Sequence, residues 1–305
     1  MREFLKRLLK DEKGNVLILG AISLMTILCM AGLAIDGSLI YMEKSKLQKV
    51  ANAAVLSGAQ ELPNTEQKVT STVQYILDSH QAASTLTNLE INMENKVAIS
   101  LTKPVDLTFM KLFGFEKVDV TAHASAGINA IGNAVGAAPL GIDESVPLEY
   151  FKPYQLKVDS SGVQSGNFGI LALNRPGAKT YEENLRYGYQ DELKLGDIVD
   201  TQTGNIAGST RDGIQERVNG CSQPPGDYSM RDCSRILLVP VYKPYSFDSN
   251  QLKSVKITGF AYFYITDPMS STDTSIKGVF IKRAGPGTFD VGAQDRGAYS
   301  IRLTE

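Results

Sequence analysis

The chain has 305 residues, with 31 lysines and arginines against 33 aspartates and glutamates, and a formal charge of −2 at pH 7. This near balance, without a long basic run, excludes the strong positive field that attracts nucleic acid. The length suits about two domains, and the 43% hydrophobic and 21% charged residues are ordinary for globular protein.

An uncharged apolar segment lies near the start of the chain. Residues 16–35 have the sequence VLILGAISLMTILCMAGLAI, in which Ser23 and Thr26 are the only hydroxyl residues. As an α-helix this segment spans about 30 Å, the thickness of the hydrocarbon core of a bilayer. A cleaved signal peptide has a shorter apolar region, so we predict a transmembrane helix over residues 14–38.

Basic residues give the predicted orientation of this span. They are Arg2, Lys6, Arg7, Lys10 and Lys13 before the span, and Lys44, Lys46 and Lys49 close after it. The positive-inside rule then places residues 1–13 in the cytoplasm and the rest of the chain outside the cell membrane.

The three cysteines divide between the span and the polar body. Cys29 lies in the span, and Leu28 stands where the lipoprotein motif has a small residue, so lipidation is not favoured. Cys221 and Cys233 are the pair in the polar body, where an external compartment permits a disulfide. Two reduced thiols are the alternative.

The helical pattern continues beyond the span. Apolar residues recur at helical spacing from Leu39 to Leu62, and Pro63 then ends the pattern. One helix over residues 16–62 would extend about 70 Å, which is the outline of a pilin. We predict a second helix with a capping box at Asn64 and Gln67. Its apolar face comprises Val69, Val73, Ile76 and Leu77.

A small α+β module is predicted to complete residues 39–126. Residues 89–93 and 97–101 alternate between apolar and polar side chains around a turn near Asn95 and Lys96, which indicates a hairpin. A short helix over residues 105–113 is expected to pack inward through Leu107, Met110 and Leu112 or Phe113. The strand that follows has Val118, Val120 and Ala122 on its inner face.

The remainder is predicted to be mainly β. Residues 127–139 are rich in glycine, alanine and asparagine, which indicates a flexible linker to a domain over residues 140–305. Its clearest strands are 236–241, 255–265, 278–281 and 299–303, with helices at 181–185 and around 211–218. The predicted fold class is therefore α+β, with a distal barrel or sandwich that carries helical insertions.

Several ordered motifs occupy residues 13–62. They are a Gly14-Asn15 start, the apolar span, Asp36, Tyr41, Leu47-Gln48, and a stretch from Ala51-Asn52-Ala53-Ala54 to Gly58-Ala59-Gln60-Glu61-Leu62. Together they resemble the N-terminal segment of TadG-like proteins of Flp/Tad pilus assembly. The resemblance implies a membrane-anchored bacterial protein that serves pilus assembly, secretion or surface adhesion. Its implied partners are the lipid bilayer and Tad membrane proteins or pilins.

Two other functions stay open. A minor pilin or pseudopilin would be processed between Gly14 and Asn15, but pilins of the wider class carry a glutamate five residues after the glycine, and Leu19 stands there. The absence of that carboxylate argues against a major pilin. An envelope enzyme with its site in the C-terminal domain is the alternative from a different class.

Residues that could carry chemistry are few. The only histidines, His80 and His123, show no catalytic spacing, so we expect no catalytic, cofactor-binding or metal-binding residues and no small-molecule substrate. Residues 159–163 match only part of a von Willebrand A metal motif, and residues 195–210 form either turns or an anion cradle. Asp36 is either an interfacial charge or a partner contact. The tyrosines of residues 140–305 form either an adhesive surface or a β core.

Overall fold

The computed structural model describes residues 12–157, 168–202, 206–224, 226–228, 230–248 and 251–304. Two helices come first, α1 (Glu12–Ala59) and α2 (Glu66–Ser79). The long predicted helix is thus present, and a turn carries the chain from Ala59 to Pro63. The predicted cap of α2 was displaced by one residue, because Thr65 rather than Asn64 accepts a hydrogen bond from the Lys68 N–H. Thr65 has the extended backbone of an N-cap residue, and a threonine hydroxyl is among the acceptors found at this position.

Three antiparallel strands follow α2. They are β1 (Leu86–Asn92), β2 (Lys96–Asp106) and β3 (Lys117–Ala134), with short 3₁₀ turns at Ala83–Thr85 and Met110–Phe113. The predicted hairpin is confirmed, with Ile91 opposite Val97 and Leu89 opposite Ile99. One face of this sheet packs on α1 and α2, so the apolar residues of all these elements share one core.

Strand β3 continues through the predicted linker. Residues 127–134 belong to β3 and pair with strands on both of its sides, so a flexible linker over 127–139 is wrong for this part. Glycine and alanine allow neighbouring parts of the chain to approach β3 closely here. A Cβ on Gly132 would lie 2.2 Å from the Asp290 Cβ, which explains a low-complexity sequence inside an ordered strand.

Two helices and eleven strands make up the distal part that the structure describes. The elements are β4 (Leu140–Asp143), β5 (Pro153–Lys157), β6 (Phe168–Ile170), α3 (Ala178–Tyr187), β7 (Leu193–Lys194), β8 (Ile198–Asp200), α4 (Ala207–Asn219), β9 (Ile236–Asp248), β10 (Gln251–Ile265), β11 (Ser275–Ile281), β12 (Arg283–Ala284), β13 (Thr288–Phe289) and β14 (Ala298–Leu303). Each distal strand and helix predicted from the sequence lies within one of these elements. The α+β class is confirmed.

A large distal sheet has the strand order β5-β11-β10-β9-β4-β6, with β8 on β10. Successive residues of β10 point to opposite faces: Phe263 packs with α3 and α4, whereas Tyr262 and Tyr264 pack toward β3. Both faces are therefore covered, one by helices and the other by β3, β7 and β14. The distal sheet thus lies between a layer of helices and a layer of strands.

The C-terminal strand returns to the N-terminal sheet. Strand β14 pairs antiparallel with β3, from Leu303 opposite Ala126 to Tyr299 opposite Ala130. The order of the first sheet is β1-β2-β3-β14-β12, and β7 and β13 also pair with β3. Strand β3 is thus shared, because its first half covers α1 and its second half covers the distal sheet.

Candidate functional site

The first half of α1 is an apolar helix with almost no protein around it. The helix is the one element among the described residues that is long and apolar enough to cross a membrane, and only 6% of its most apolar window is buried. Leu24 and Met25 are exposed by 59% and 68%. Apolar side chains exposed in such a continuous band are stable in lipid and unfavourable in water.

Asp36 marks the point where this exposed half ends. Its carboxylate is buried and accepts three backbone hydrogen bonds, at 2.9 Å from Thr108, 2.9 Å from Phe109 and 2.7 Å from Met110. These donors lie in residues 107–116, the segment between β2 and β3, which we call the exit loop. A carboxylate is a strong acceptor for exposed amide groups at the start of a helical turn.

The two roles considered for Asp36 were an interfacial charge and a partner contact. The structure adds a third role, a contact within the chain that joins α1 to the exit loop across 72 to 74 residues of sequence.

Gly32, one turn before Asp36, lets the exit loop lie directly on the helix. A Cβ at this position would lie 2.7 Å from ring atoms of Phe109, so any larger residue would push the loop away. The sequence reasoning missed Gly32. The available signal was a small residue four positions before a charge, which places both on one face of the helix.

The second half of α1 is buried through small residues. Ala51, Ala54 and Ala59 are fully buried against the first sheet and α2, and a Cβ on Gly58 would lie 2.7 Å from Val73. Small side chains allow backbones to approach closely, so the alanine and glycine positions of the TadG-like motif act as packing positions.

Polar contacts fix the helix to β2 and β3 just beyond the exit loop. The Gln48 amide donates to the His123 carbonyl oxygen at 2.6 Å, and Lys44 donates to the Thr121 carbonyl oxygen. The Lys103 ammonium lies 2.7 Å from Glu43, and its hydrogen bond lowers the pKa of that carboxyl although partial burial acts in the opposite direction. These polar contacts begin at Glu43, which is seven residues beyond Asp36, or about 10 Å along the helix at 1.5 Å per residue.

The exit loop itself differs from its prediction. Leu107 is buried and Met110 is half-buried, as predicted for an inward face. Leu112 is 82% exposed, however, and Phe113 is 59% exposed, so neither packs inward. The 3₁₀ turn is too short to bring its last residues back onto the core, and they point away from the body of the protein.

The other predicted site residues are separate from this one. Gly14 and Asn15 lie in the first turn of α1, and Cys29 is a free, half-buried cysteine on the face of the helix that carries Gly32 and Asp36. Cys221 and Cys233 form a disulfide in the distal part, with Cα atoms 4.9 Å apart. Whether the bond exists in the cell stays a prediction that thiol counting tests.

The remaining candidates take structural positions or lie outside the described residues. His123 is exposed, and its Nδ1 lies 2.9 Å from the Ser100 Oγ. Leu195 and Gly196 form a turn in which Asp197 accepts the Lys194 N–H, and the next helix begins at Ala207 rather than near Arg211. Residues 159–163 and 203–205 lie outside the described residues.

Several ionisable groups of the distal body are buried and take part in its packing. The Arg217 guanidinium donates to the carbonyl oxygens of Leu185, Ser234 and Ile236, and burial lowers its pKa to about 10. Tyr242 and Tyr264 are fully buried, so they belong to the β core. Three or more clustered His, Cys, Asp or Glu side chains, as a metal ion requires, do not occur within the part of the chain that the structure describes.

A cleft of about 500 Å³ separates the end of α1 from the distal body. Two ion pairs cross between these regions, Arg231 with Glu61 at 3.0 Å and Lys282 with Glu94 at 2.5 Å. Because these side chains are partly exposed, the pairs contribute little to stability and serve mainly to orient the two parts.

Comparison with known proteins gives a match for the N-terminal segment. Residues 14–61 match the family model Tad, described as Flp pilus-assembly TadE/G-like. No curated protein and no solved structure matches the chain. The matched residues contain both halves of α1, including Gly32, Asp36 and the small-residue positions. The resemblance seen in the sequence is thereby confirmed: the chain carries a TadE/G-like Flp pilus-assembly segment, which supports a role related to pilus assembly.

Proposed function

We propose that this protein is a single-pass membrane component of the Tad/Flp pilus system that acts by anchoring and protein interaction rather than by catalysis. Its N-terminus lies in the cytoplasm, and its exit loop, sheets and distal body lie outside. The observation that carries the proposal is the exposed apolar half of α1 within the segment that matches the Tad family. Such a helix binds a bilayer and holds the folded body at its surface.

An exposed residue beside the exit loop also favours a partner outside the chain. Tyr41 belongs to the TadG-like motif yet is 76% exposed, one turn beyond Asp36. Tyrosine at an interface supplies a large rigid contact together with a hydroxyl. Tad membrane proteins or pilins beside the helix are the partners that fit this position, in pilus assembly, secretion or adhesion.

Carbonate extraction and surface proteolysis test the anchoring. We expect the full chain to stay with membranes in alkaline carbonate and the distal body to be cut by protease added to intact cells or, in a bacterium with an outer membrane, to spheroplasts. The Leu24→Arg and Ile27→Arg double variant should lose retention, since each arginine at the centre of a span costs about 2.5 to 3.5 kcal/mol. Tyr75→Arg, at an exposed position on α2, is the matched control and should be retained. Release of the unchanged chain by carbonate would overturn the proposal.

Two measurements separate the assembly role from its alternatives. Mass spectrometry of the mature protein should find no new N-terminus at Asn15, whereas cleavage after Gly14 would favour a minor pilin. A photo-crosslinking residue at position 41 should capture Tad membrane proteins or pilins, and the same residue at position 75 should not. Capture at neither position would contradict the interaction.

A further inference from the structure

The exit loop carries an apolar tip that the body of the protein does not cover. Leu112 is 82% exposed, and Phe113 and Phe115 are each 59% exposed, all within four residues. A cluster of large exposed apolar residues is uncommon on a soluble surface and marks a contact with a protein or a membrane.

The position of this tip relative to α1 indicates which contact it makes. Phe109 lies against Gly32, which is four residues or about 6 Å back along the helix from Asp36, inside the apolar span. Cys29, one turn further back on the same face, is the only half-buried residue between residues 18 and 31. The exit loop therefore lies beside the last turns of the span, at the level where a bilayer around α1 has its interface.

The backbone of the loop is suited to that environment. Unpaired amide groups are costly near hydrocarbon, where water does not replace a missing partner. The Asp36 carboxylate accepts hydrogen bonds from the backbone amides of Thr108, Phe109 and Met110. Four more backbone amides of the loop donate to carbonyl oxygens at 2.9 to 3.2 Å: Leu107 to Glu116, Leu112 to Phe109, Gly114 to Lys111, and Phe115 to Met110. The contact with Asp36 thus leaves these amide groups hydrogen-bonded, as a medium of low polarity requires.

Charged side chains lie around the apolar tip at positions that fit a membrane surface. Lys111 is exposed beside the tip, where a long amphipathic side chain can extend its ammonium toward lipid phosphates. The Lys117–Asp106 pair at 3.3 Å closes the base of the loop, and Lys103–Glu43 lies further from the span. Polarity thus increases in the direction that leads away from the bilayer.

We propose that the exit loop is a second membrane contact, in which Leu112, Phe113 and Phe115 enter the headgroup and upper acyl region of the leaflet that α1 leaves. The proposal rests on the membrane anchoring proposed above, and it names the lipid interface as a ligand of the exit loop. Two contacts on one bilayer limit the tilt and rotation of α1 and so orient the distal body. The proposal holds for either orientation of the chain.

The absence of tryptophan from the sequence allows a direct test. The full-length Phe113→Trp variant is reconstituted in vesicles of phosphatidylcholine and phosphatidylglycerol, with or without bromine on the acyl chains as a quencher. Ile22→Trp, in the middle of the exposed span, is the positive control, and Tyr75→Trp, exposed on α2, is the negative control. Phe115→Trp and Leu112→Trp repeat the measurement should one variant fail to fold.

We expect brominated lipid to lower the emission of the Phe113→Trp variant about twofold, because an interfacial side chain reaches the upper acyl chains. Ile22→Trp should be quenched at least as strongly, and Tyr75→Trp should not change. Quenching of Ile22→Trp without quenching at the loop would overturn the loop contact and leave the anchor intact. No quenching of Ile22→Trp would overturn the anchor itself.

Protein density in the vesicles separates lipid from a second copy of the chain. An interfacial contact gives the same quenching when the ratio of protein to lipid is lowered. If the loop instead packs against another copy, its tryptophan should be shielded from lipid at high protein density, lose that shielding on dilution, and respond little to bromine. That result would overturn the proposal.

Discussion

The two halves of α1 belong to one unbroken helix but have opposite surroundings. Residues 16–35 expose nearly all of their leucines, isoleucines and methionines, whereas Ala51, Ala54 and Val55 are fully buried. Burial of apolar area from water contributes about 25 cal/mol per Å², so the first half would be strongly unfavourable in water and the second is already satisfied by protein. The same kind of side chain thus has two different surroundings, because the first half forms an exposed band suited to lipid and the second half lies in a protein core.

The boundary between the halves is a contact rather than a break in the helix. Asp36 is the first charge after the span, and its buried carboxylate holds the exit loop instead of facing water. The comparison teaches that the end of a membrane helix can be defined by what packs on it. Four predictions test this division, in order of decreasing effect.

The largest effect is expected from truncation in the buried half. Leu47→Ala should lower the free energy of unfolding of the folded body by about 2 to 5 kcal/mol, because Leu47 is buried in the core that α1 shares with the first sheet and its truncation leaves a cavity. Leu24→Ala makes the same change in the exposed half and should leave that free energy unchanged. Urea unfolding of the full chain in nanodiscs measures both, and equal losses would contradict the division into two surroundings.

The cysteines give a second test of the compartments on the two sides of the boundary. Before reduction we expect one reactive thiol in the denatured chain, that of Cys29, and three after reduction. The Cys221→Ser and Cys233→Ser double variant should lose about 3 kcal/mol of stability, because the bond closes a loop of this length. Cys29→Ser should be neutral. Three thiols before reduction would show that the body does not experience an oxidising compartment.

The third test removes the contact at the boundary. Asp36→Ala leaves three backbone amides without their acceptor, which should cost about 1 to 3 kcal/mol. Hydrogen exchange of the amides of Thr108, Phe109 and Met110 should become about tenfold faster or more. Ser38→Ala removes a hydroxyl that bonds only within α1 and is the matched control. Unchanged exchange in the Asp36→Ala variant would show that the carboxylate does not hold the exit loop.

The smallest effect concerns the ion pair above the boundary. The hydrogen bond from Lys103 lowers the folded-state pKa of Glu43 below its ordinary value of 4.5. The contribution to stability is therefore present above pH 4.5 and disappears as the pH falls through the lowered folded value. Because Lys103 is exposed, we expect less than about 1 kcal/mol. Glu43→Gln should flatten the dependence of stability on pH in this range, and urea unfolding at several pH values measures it. A variant that keeps the full dependence would show that the pair does not contribute.

Local patterns were sufficient for the elements of the N-terminal module. The span, the amphipathic continuation of α1, α2 and the β1–β2 hairpin follow from periodicities of 3.6 and 2 residues, and the structure contains each of them. The TadG-like motif was likewise visible in the chain, because its small residues and single charge lie at fixed spacings. Two details differ: the N-cap of α2 is displaced by one residue, and the predicted helix over residues 105–113 is replaced by the end of β2 and a short 3₁₀ turn.

These local patterns did not predict the pairing of strands that lie far apart in the chain. Residues 127–134 have the composition of a linker, and they form a strand because β14 and β7 supply hydrogen-bond partners from far along the sequence. In the same way, Phe113 has the composition of a core residue but lies on a turn too short to return it to the core.

The sequence alone determined that one segment is long and apolar enough to cross a membrane, because its twenty uncharged residues match the thickness of a bilayer. It also determined the small-residue face on which the helix packs. Only the tertiary structure decided that Asp36 is a buried acceptor, that Gly32 makes room for Phe109, and that the last strand completes the first sheet. Hydrophobic periodicity is local, whereas a hydrogen bond across seventy residues depends on the whole fold.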